Sequence, residues 1–94
     1  MAMDPDTRIE RLDALVSTEV RGELVGLDIE HGSCFGFNAT ATRIWHLIET
    51  PCTLASLCDT LMHEHEVDRE TCLVDTASVL DVLAAEQLVV LTPP

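Results

Sequence analysis

Along the first third of the chain, large apolar side chains recur at every second position. Val16, Thr18 and Val20 alternate with Leu15, Ser17, Glu19 and Arg21, and Val25, Leu27 and Ile29 alternate with Leu24, Gly26, Asp28 and Glu30. A period of two marks half-buried strands, so strands are expected over residues 14–20 and 24–30. Arg21-Gly22 supplies the turn between them, and pairing Val20 with Glu23 sets Val16 opposite Leu27 and Ala14 opposite Ile29 on one face. A two-residue loop at His31-Gly32 would set Phe35 across from Asp28 and take the aromatics off that face. A three-residue loop, Glu30-His31-Gly32, with Gly32 left-handed in a bulge, instead pairs Ser33 with Ile29, Phe35 with Leu27 and Phe37 with Val25. The expected product is an antiparallel meander in order 1-2-3, with one edge of the third strand unpaired.

Within GSCFGFNATATRIW, residues 32–45, the apolar spacing changes after Phe37 from two to three and four, the step from strand to helix. Asn38 is the expected cap of a first helix with Ala41, Ile44, Trp45 and Ile48 buried. Pro51 ends it, Thr53 offers the next cap, and Leu54, Leu57, Cys58, Leu61 and Met62 form the stripe of a second helix. Asp68 caps a third, whose stripe is Leu73, Thr76, Ala77, Leu80, Leu83 and Ala84, with Cys72 and Val79 on its flank. Val89, Val90 and Leu91 suggest a short extended tail. The fold class is therefore α+β and winged-helix-like, a three-stranded antiparallel meander followed by three helices. Residues 1–11, acidic and carrying Pro5, are expected to be a flexible tail, and residues 12–92 the domain.

Composition narrows the function. Seventeen acids against five arginines give a net charge of −12 over 94 residues. Such a surface repels phosphate backbones and anionic membranes, so neither nucleic acid nor membrane is an expected partner. No apolar run approaches the ~20 residues that span a bilayer, and the N-terminus lacks the basic-then-apolar order of a secretion signal. A soluble cytoplasmic protein is expected.

Chemistry is sparse. Cys34, Cys52, Cys58 and Cys72 include no CxxC pair, so packed free thiols are expected rather than a metal or redox centre. His63-Glu64-His65 resembles a metal pair, yet residues i and i+2 diverge by ~200° on a helix, so a solvated helix end is the better reading. His31 falls in a turn and His46 beside Trp45, neither with a partner at ligand spacing. Phosphate-binding glycine loops and HExxH are missing from the sequence. No enzyme activity, catalytic residue, metal or cofactor is expected.

GELVGLDIEHGSCFGFNATATRIWHLIE followed by TLASLCDTLMHEHEVDRETCLVDTASVLDVLAAEQLV resembles the PqqD-like family of RiPP recognition elements. The likeness spans about residues 14–91. It is carried by Phe35-Gly36-Phe37-Asn38, by Arg43-Ile44-Trp45 within the first helix, by Val67-Asp68, and by residues 75–83 closing with Leu88-Val89. It departs from the family at Gln87, where glycine often ends the third helix, and at Ala77 and Ala84, where larger aliphatics are usual. The resemblance implies non-catalytic binding of the leader segment of a ribosomally made precursor peptide, presented to modifying enzymes or a leader peptidase, with the lasso-peptide type preferred. It implies that the leader adds as a strand to the third strand. Ser33, Cys34, Phe35, Gly36 and Phe37 would then supply the edge, and Cys72, Asp75, Thr76 and Val79 the facing helix wall. Rival readings are a winged-helix DNA-binding regulator and a small structural subunit.

Overall fold

The computed structural model describes residues 3–12 and 15–94, and its elements follow the expected order with two additions, a strand before the meander and a two-residue strand between the first two helices. The chain runs β1 (Arg8–Arg11), β2 (Leu15–Val20), β3 (Glu23–Asp28), β4 (Ser33–Gly36), α1 (Ala39–Leu47), β5 (Cys52–Thr53), α2 (Leu54–Glu64), α3 (Arg69–Ala85) and β6 (Val89–Thr92). Two antiparallel sheets result, β2-β3-β4 and β5-β1-β6. The architecture is α+β, a meander followed by three helices. Among the described residues no helix is long and apolar enough to cross a membrane.

The first hairpin has the expected register, Val20 opposite Glu23 and Val16 opposite Leu27. Arg21 and Gly22 both take positive φ, 55° and 80°, as a two-residue turn matching the strand twist requires. Ala14 lies outside the described residues. The second turn corrects the expected register by one residue: Ser33 pairs with Asp28, Cys34 with Leu27, Phe35 with Gly26 and Gly36 with Val25. The loop is four residues long, 29–32, because Asp28 closes it. Its carboxylate accepts the His31 backbone N–H at 3.2 Å and contacts the His31 ring Nδ1 at 2.8 Å.

The face that turns inward is also the opposite of the expected one. Leu24, Gly26 and Asp28 are buried, whereas Val16, Val25, Leu27 and Ile29 face solvent. The aromatics decide this. Phe37, drawn inward, meets Trp45 edge-on with ring centroids 5.6 Å apart. Leu15 fills the space over Gly26, where a Cβ would stand 2.6 Å from a Leu15 methyl.

The first eleven residues do not form a flexible tail throughout. Arg8–Arg11 is the central strand of the second sheet, paired with β6 on one side and β5 on the other, and Ile9 is fully buried. The Arg11 guanidinium lies 4.2 Å from the Trp45 ring centroid and donates to the Trp45 carbonyl. The expected C-terminal extension, as β6, pairs along the whole of β1.

All three helix caps form where the sequence places them. Asn38 accepts from the Ala41 N–H, Asp68 from the Thr71 N–H, and Thr53 exchanges a reciprocal capping box with Ser56. Ile44 and Trp45 from α1 and its cap Ile48, Leu54, Leu57, Cys58 and Leu61 from α2, and Cys72, Leu80 and Leu83 from α3 join Ile9, Leu24, Phe37, Leu88 and Val89 in the core. Burial pushes the Cys58 thiol up to about 11, which leaves it protonated and inert. The α3 stripe is rotated from the expected one, with Cys72 buried and Leu73 only half-buried.

Where the family often has glycine, Gln87 takes the left-handed conformation, φ 61°. The Leu88 N–H bonds to the Leu83 carbonyl and the Gln87 N–H to the Ala84 carbonyl. These two bonds are the Schellman ending, so the helix stops as it would with glycine and carries the strain of a side chain at that position.

Candidate functional site

A single hydroxyl joins the edge strand to the first helix. Thr42, buried on α1, accepts the Leu24 N–H at 2.9 Å and donates to the Phe37 carbonyl at 3.3 Å. Together with the Phe37 N–H to Leu24 carbonyl bond of 2.8 Å, it fastens the end of β4 to β3 just before Asn38 opens α1. The Phe37–Leu24 bond also fixes the direction of every amide on β4. In an antiparallel ladder alternate residues point at the partner, so Ser33, Phe35 and Phe37 aim their N–H groups at β3 and Cys34 and Gly36 aim theirs away from it. Within its sheet β4 is an edge, paired on the β3 side alone.

Beside that edge lies a hollow of about 320 Å³ between β4 and the C-terminal half of α3. Cys34, Phe35, Gly36 and Phe37 line one side, and Val79, Val82, Leu83 and Glu86 the other. Leu83 is buried at the base, Val79 is half-buried, and Val82 is 63% exposed, an apolar wall with an open top. A Cβ at Gly36 would meet nothing within 4 Å, so the packing of the domain itself does not require glycine there. At one end the trough continues into a smaller hollow, about 180 Å³, that includes Asp28, His31, Ser33, Phe35 and Glu86. There the His31 ring holds the Asp28 carboxyl below the ordinary carboxylate pKa, and Asp28 holds the His31 imidazole above its ordinary pKa.

The residues expected at the site thus divide into two groups. Cys34, Phe35, Gly36, Phe37 and Val79 meet in one hollow, with Ser33 at its extension. Cys72, Asp75 and Thr76 line a different hollow of about 460 Å³, where the start of α1, the end of α2 and the first turns of α3 converge. Cys72 and Thr76 are buried there, their side chains 3.9 Å apart, and Arg43 is ion-paired with Glu64 at its rim. Sequence reasoning missed Val82, Leu83 and Glu86. Extending the helical spacing of three and four forward from Val79, instead of backward, finds all three.

Among the described residues no three His, Cys, Asp or Glu side chains converge as metal ligands. His63 and His65 are exposed at the end of α2. The site offers main-chain donors and acceptors, apolar walls and an acidic end. Such a constellation can accept an extended chain along the strand edge.

The family model described as coenzyme PQQ synthesis protein D (PqqD) matches residues 23–89. A search of the curated proteins returns no match. Among solved structures, TbiB1 in complex with the TbiA(beta) leader peptide is 34% identical, with a TM-score of 0.78 over 85% of this chain and 93% of that one. Lasso peptide synthetase B1 complexed with the leader peptide shares the fold, with a TM-score of 0.76 at 21% identity over 87% of this chain and 96% of that one. The family match covers the last two strands of the meander, all three helices and the groove between them: the chain belongs to the PqqD-like family of RiPP recognition elements.

Proposed function

We propose that this domain is a non-catalytic, cytoplasmic binder of a precursor peptide's leader segment in lasso-peptide biosynthesis. The leader adds as a fourth strand to the free edge of β4 and is presented to a modifying enzyme or leader peptidase. The observation that carries the reading is the conjunction of the outward Cys34 and Gly36 amides with the apolar trough along Val79, Val82 and Leu83. Main-chain hydrogen bonds to the edge supply affinity, and pockets reached by alternate side chains supply selectivity. Support also comes from the leader-peptide complexes of the two similar structures. An exposed edge is a hazard in a free protein, and a peptide that occupies it removes the hazard.

A DNA-binding role is disfavoured by charge. From Asp68 to Glu86 the third helix carries five acids and one cation, Arg69, which is itself paired with Asp59 at 2.7 Å. Fluorescent titration with the synthetic leader of the cognate precursor and with duplex DNA separates the two. Leader binding is expected to persist at moderate salt and DNA binding to be undetectable; tight, salt-sensitive DNA binding would overturn the reading. Strand parity sharpens the test. Cys34→Pro removes an outward donor without costing a ladder bond, so the variant should fold and fail to bind. Phe35→Pro removes an inward bond and a packed aromatic, so it should lower stability by about 3 kcal/mol or more. A Cys34→Pro variant that binds the leader as the parent does would refute strand addition at this edge.

A further inference from the structure

The groove between β4 and α3 is uncharged except at one place. Among the described residues that line it, Glu86 alone carries a charge, and it borders both the groove and the smaller hollow beyond it. Glu86 is exposed and takes part in none of the ion pairs among the described residues. The other carboxylate at that end, Asp28, is already engaged by the His31 ring at 2.8 Å. The groove therefore ends on one unmatched negative charge.

Its place on the helix runs against local preference. Glu86 is the C-cap of α3, and the last turn of that helix holds no basic residue. Aligned peptide dipoles leave a helix C-terminus partly negative, so a carboxylate there is repelled and a cation is favoured. Glu70, in the first turn of the same helix, sits where an acid is stabilising. A cation that arrives with the bound chain would relieve the unfavourable end, because it meets the carboxylate and the helix C-terminus together.

We propose that Glu86 is a specificity-determining residue that selects leaders carrying a lysine or arginine beside it. The inference rests on the strand-addition reading, and it also places the cation along the leader. Glu86 stands four residues beyond Val82, about 6 Å along α3. Side chains on one face of an added strand recur about every 6.6 Å. The cation is therefore the second residue along, toward the Ser33 end, from the leader side chain that lies against Val82. It shares that side chain's face, and the long stem of lysine or arginine spans the small remaining difference.

The test titrates the whole domain with the labelled synthetic leader of the cognate precursor, and with versions in which each lysine or arginine in turn becomes norleucine. Glu86→Gln should weaken binding of the unaltered leader about fivefold. One norleucine leader should bind the parent about fivefold more weakly, yet bind Glu86→Gln as well as the unaltered leader does, the non-additivity of a direct pair. Glu70→Gln removes the same charge at the far end of α3 and should leave affinity unchanged, which separates a pair from general attraction to an acidic chain. Glu86→Gln should melt no lower than the parent, since it relieves the helix end. Should it melt lower, Glu86→Lys, a change the helix end favours, reads the pair in reverse: it should bind the unaltered leader at least tenfold more weakly and regain binding when glutamate replaces the leader cation. Additive effects for every norleucine leader would overturn the proposal. So would a leader without lysine or arginine that binds the parent, or an equal loss with Glu70→Gln. Leader-induced protection of the Cys34 and Gly36 amides without coupling to Glu86 overturns this inference alone; saturable binding with no protection there takes down strand addition and this inference with it.

Discussion

Replacing Thr42 by valine keeps the shape of the side chain and removes the hydroxyl that fastens β4 to α1. In the structure that hydroxyl accepts the Leu24 N–H at 2.9 Å and donates to the Phe37 carbonyl at 3.3 Å, in a buried setting. The donated bond is long and adds little. The accepted one is the larger loss, because valine leaves a buried main-chain N–H without a partner, at a cost of about 1–3 kcal/mol. Taking about 2 kcal/mol, and about 4–8 °C per kcal/mol for a domain of this size, the melting temperature should fall by about 8–16 °C. Thr42→Ser keeps the hydroxyl and loses a methyl, so it should cost about 1 kcal/mol. Circular dichroism melts and urea titrations decide, with the urea slope expected to stay constant because the exposed surface does not change. A Thr42→Val protein melting within about 2 °C of the parent, or one more stable than Thr42→Ser, would refute the assignment of this hydroxyl as the link.

Two further perturbations follow from single residues. Gln87→Gly relieves a left-handed side chain at the end of α3 and should stabilise the domain by about 0.5–1 kcal/mol, the left-handed strain less the entropy cost of glycine; a lower melting temperature would contradict the Schellman account. For the Asp28–His31 pair, the raised value of His31 means that its contribution is complete below its ordinary value of 6.5 and is lost as pH rises through the folded value. The lowered value of Asp28 means that its contribution is complete above 3.8 and is lost as pH falls through the folded value. The melting difference between the parent and His31→Gln should therefore be widest between those two values and shrink on either side. A difference that grows toward pH 9 would show that the pair does not close the loop as a charged pair.

Local signals read well in this chain, and distant ones do not. Asn38, Thr53 and Asp68 cap helices because capping depends on three or four consecutive residues, and Arg21-Gly22 makes its hairpin for the same reason. Which side of the meander turns inward depends on Phe37 finding Trp45, a contact between elements that alternation cannot encode. The β3–β4 register slipped by one because Asp28, in sequence an ordinary solvent-facing acid, folds back to close the loop. The slip moved the partners on β3 and left the direction of each β4 amide unchanged, so Cys34 and Gly36 point outward under either register. Arg8–Arg11 gave no strand signal because one apolar residue, Ile9, makes no period, and its partners lie at residues 52–53 and 89–92. At the site, Cys34 to Phe37 and Val79 were legible from the strand-to-helix step and the family likeness. Val82, Leu83 and Glu86 share the Val79 face by helical spacing and were missed because the half of α3 that lies against β4 is set by tertiary packing.

Backbone amide exchange, followed by NMR with and without the leader peptide, tests strand addition most directly. In the free domain the Ser33, Phe35 and Phe37 amides, bonded toward β3, should exchange slowly, and those of Cys34 and Gly36 should exchange fast. With saturating leader, slowing of at least about tenfold is expected at Cys34 and Gly36, the protection that 1.4 kcal/mol of new hydrogen bonding confers. Saturable leader binding that leaves both of those amides exchanging at their free rates would contradict the account.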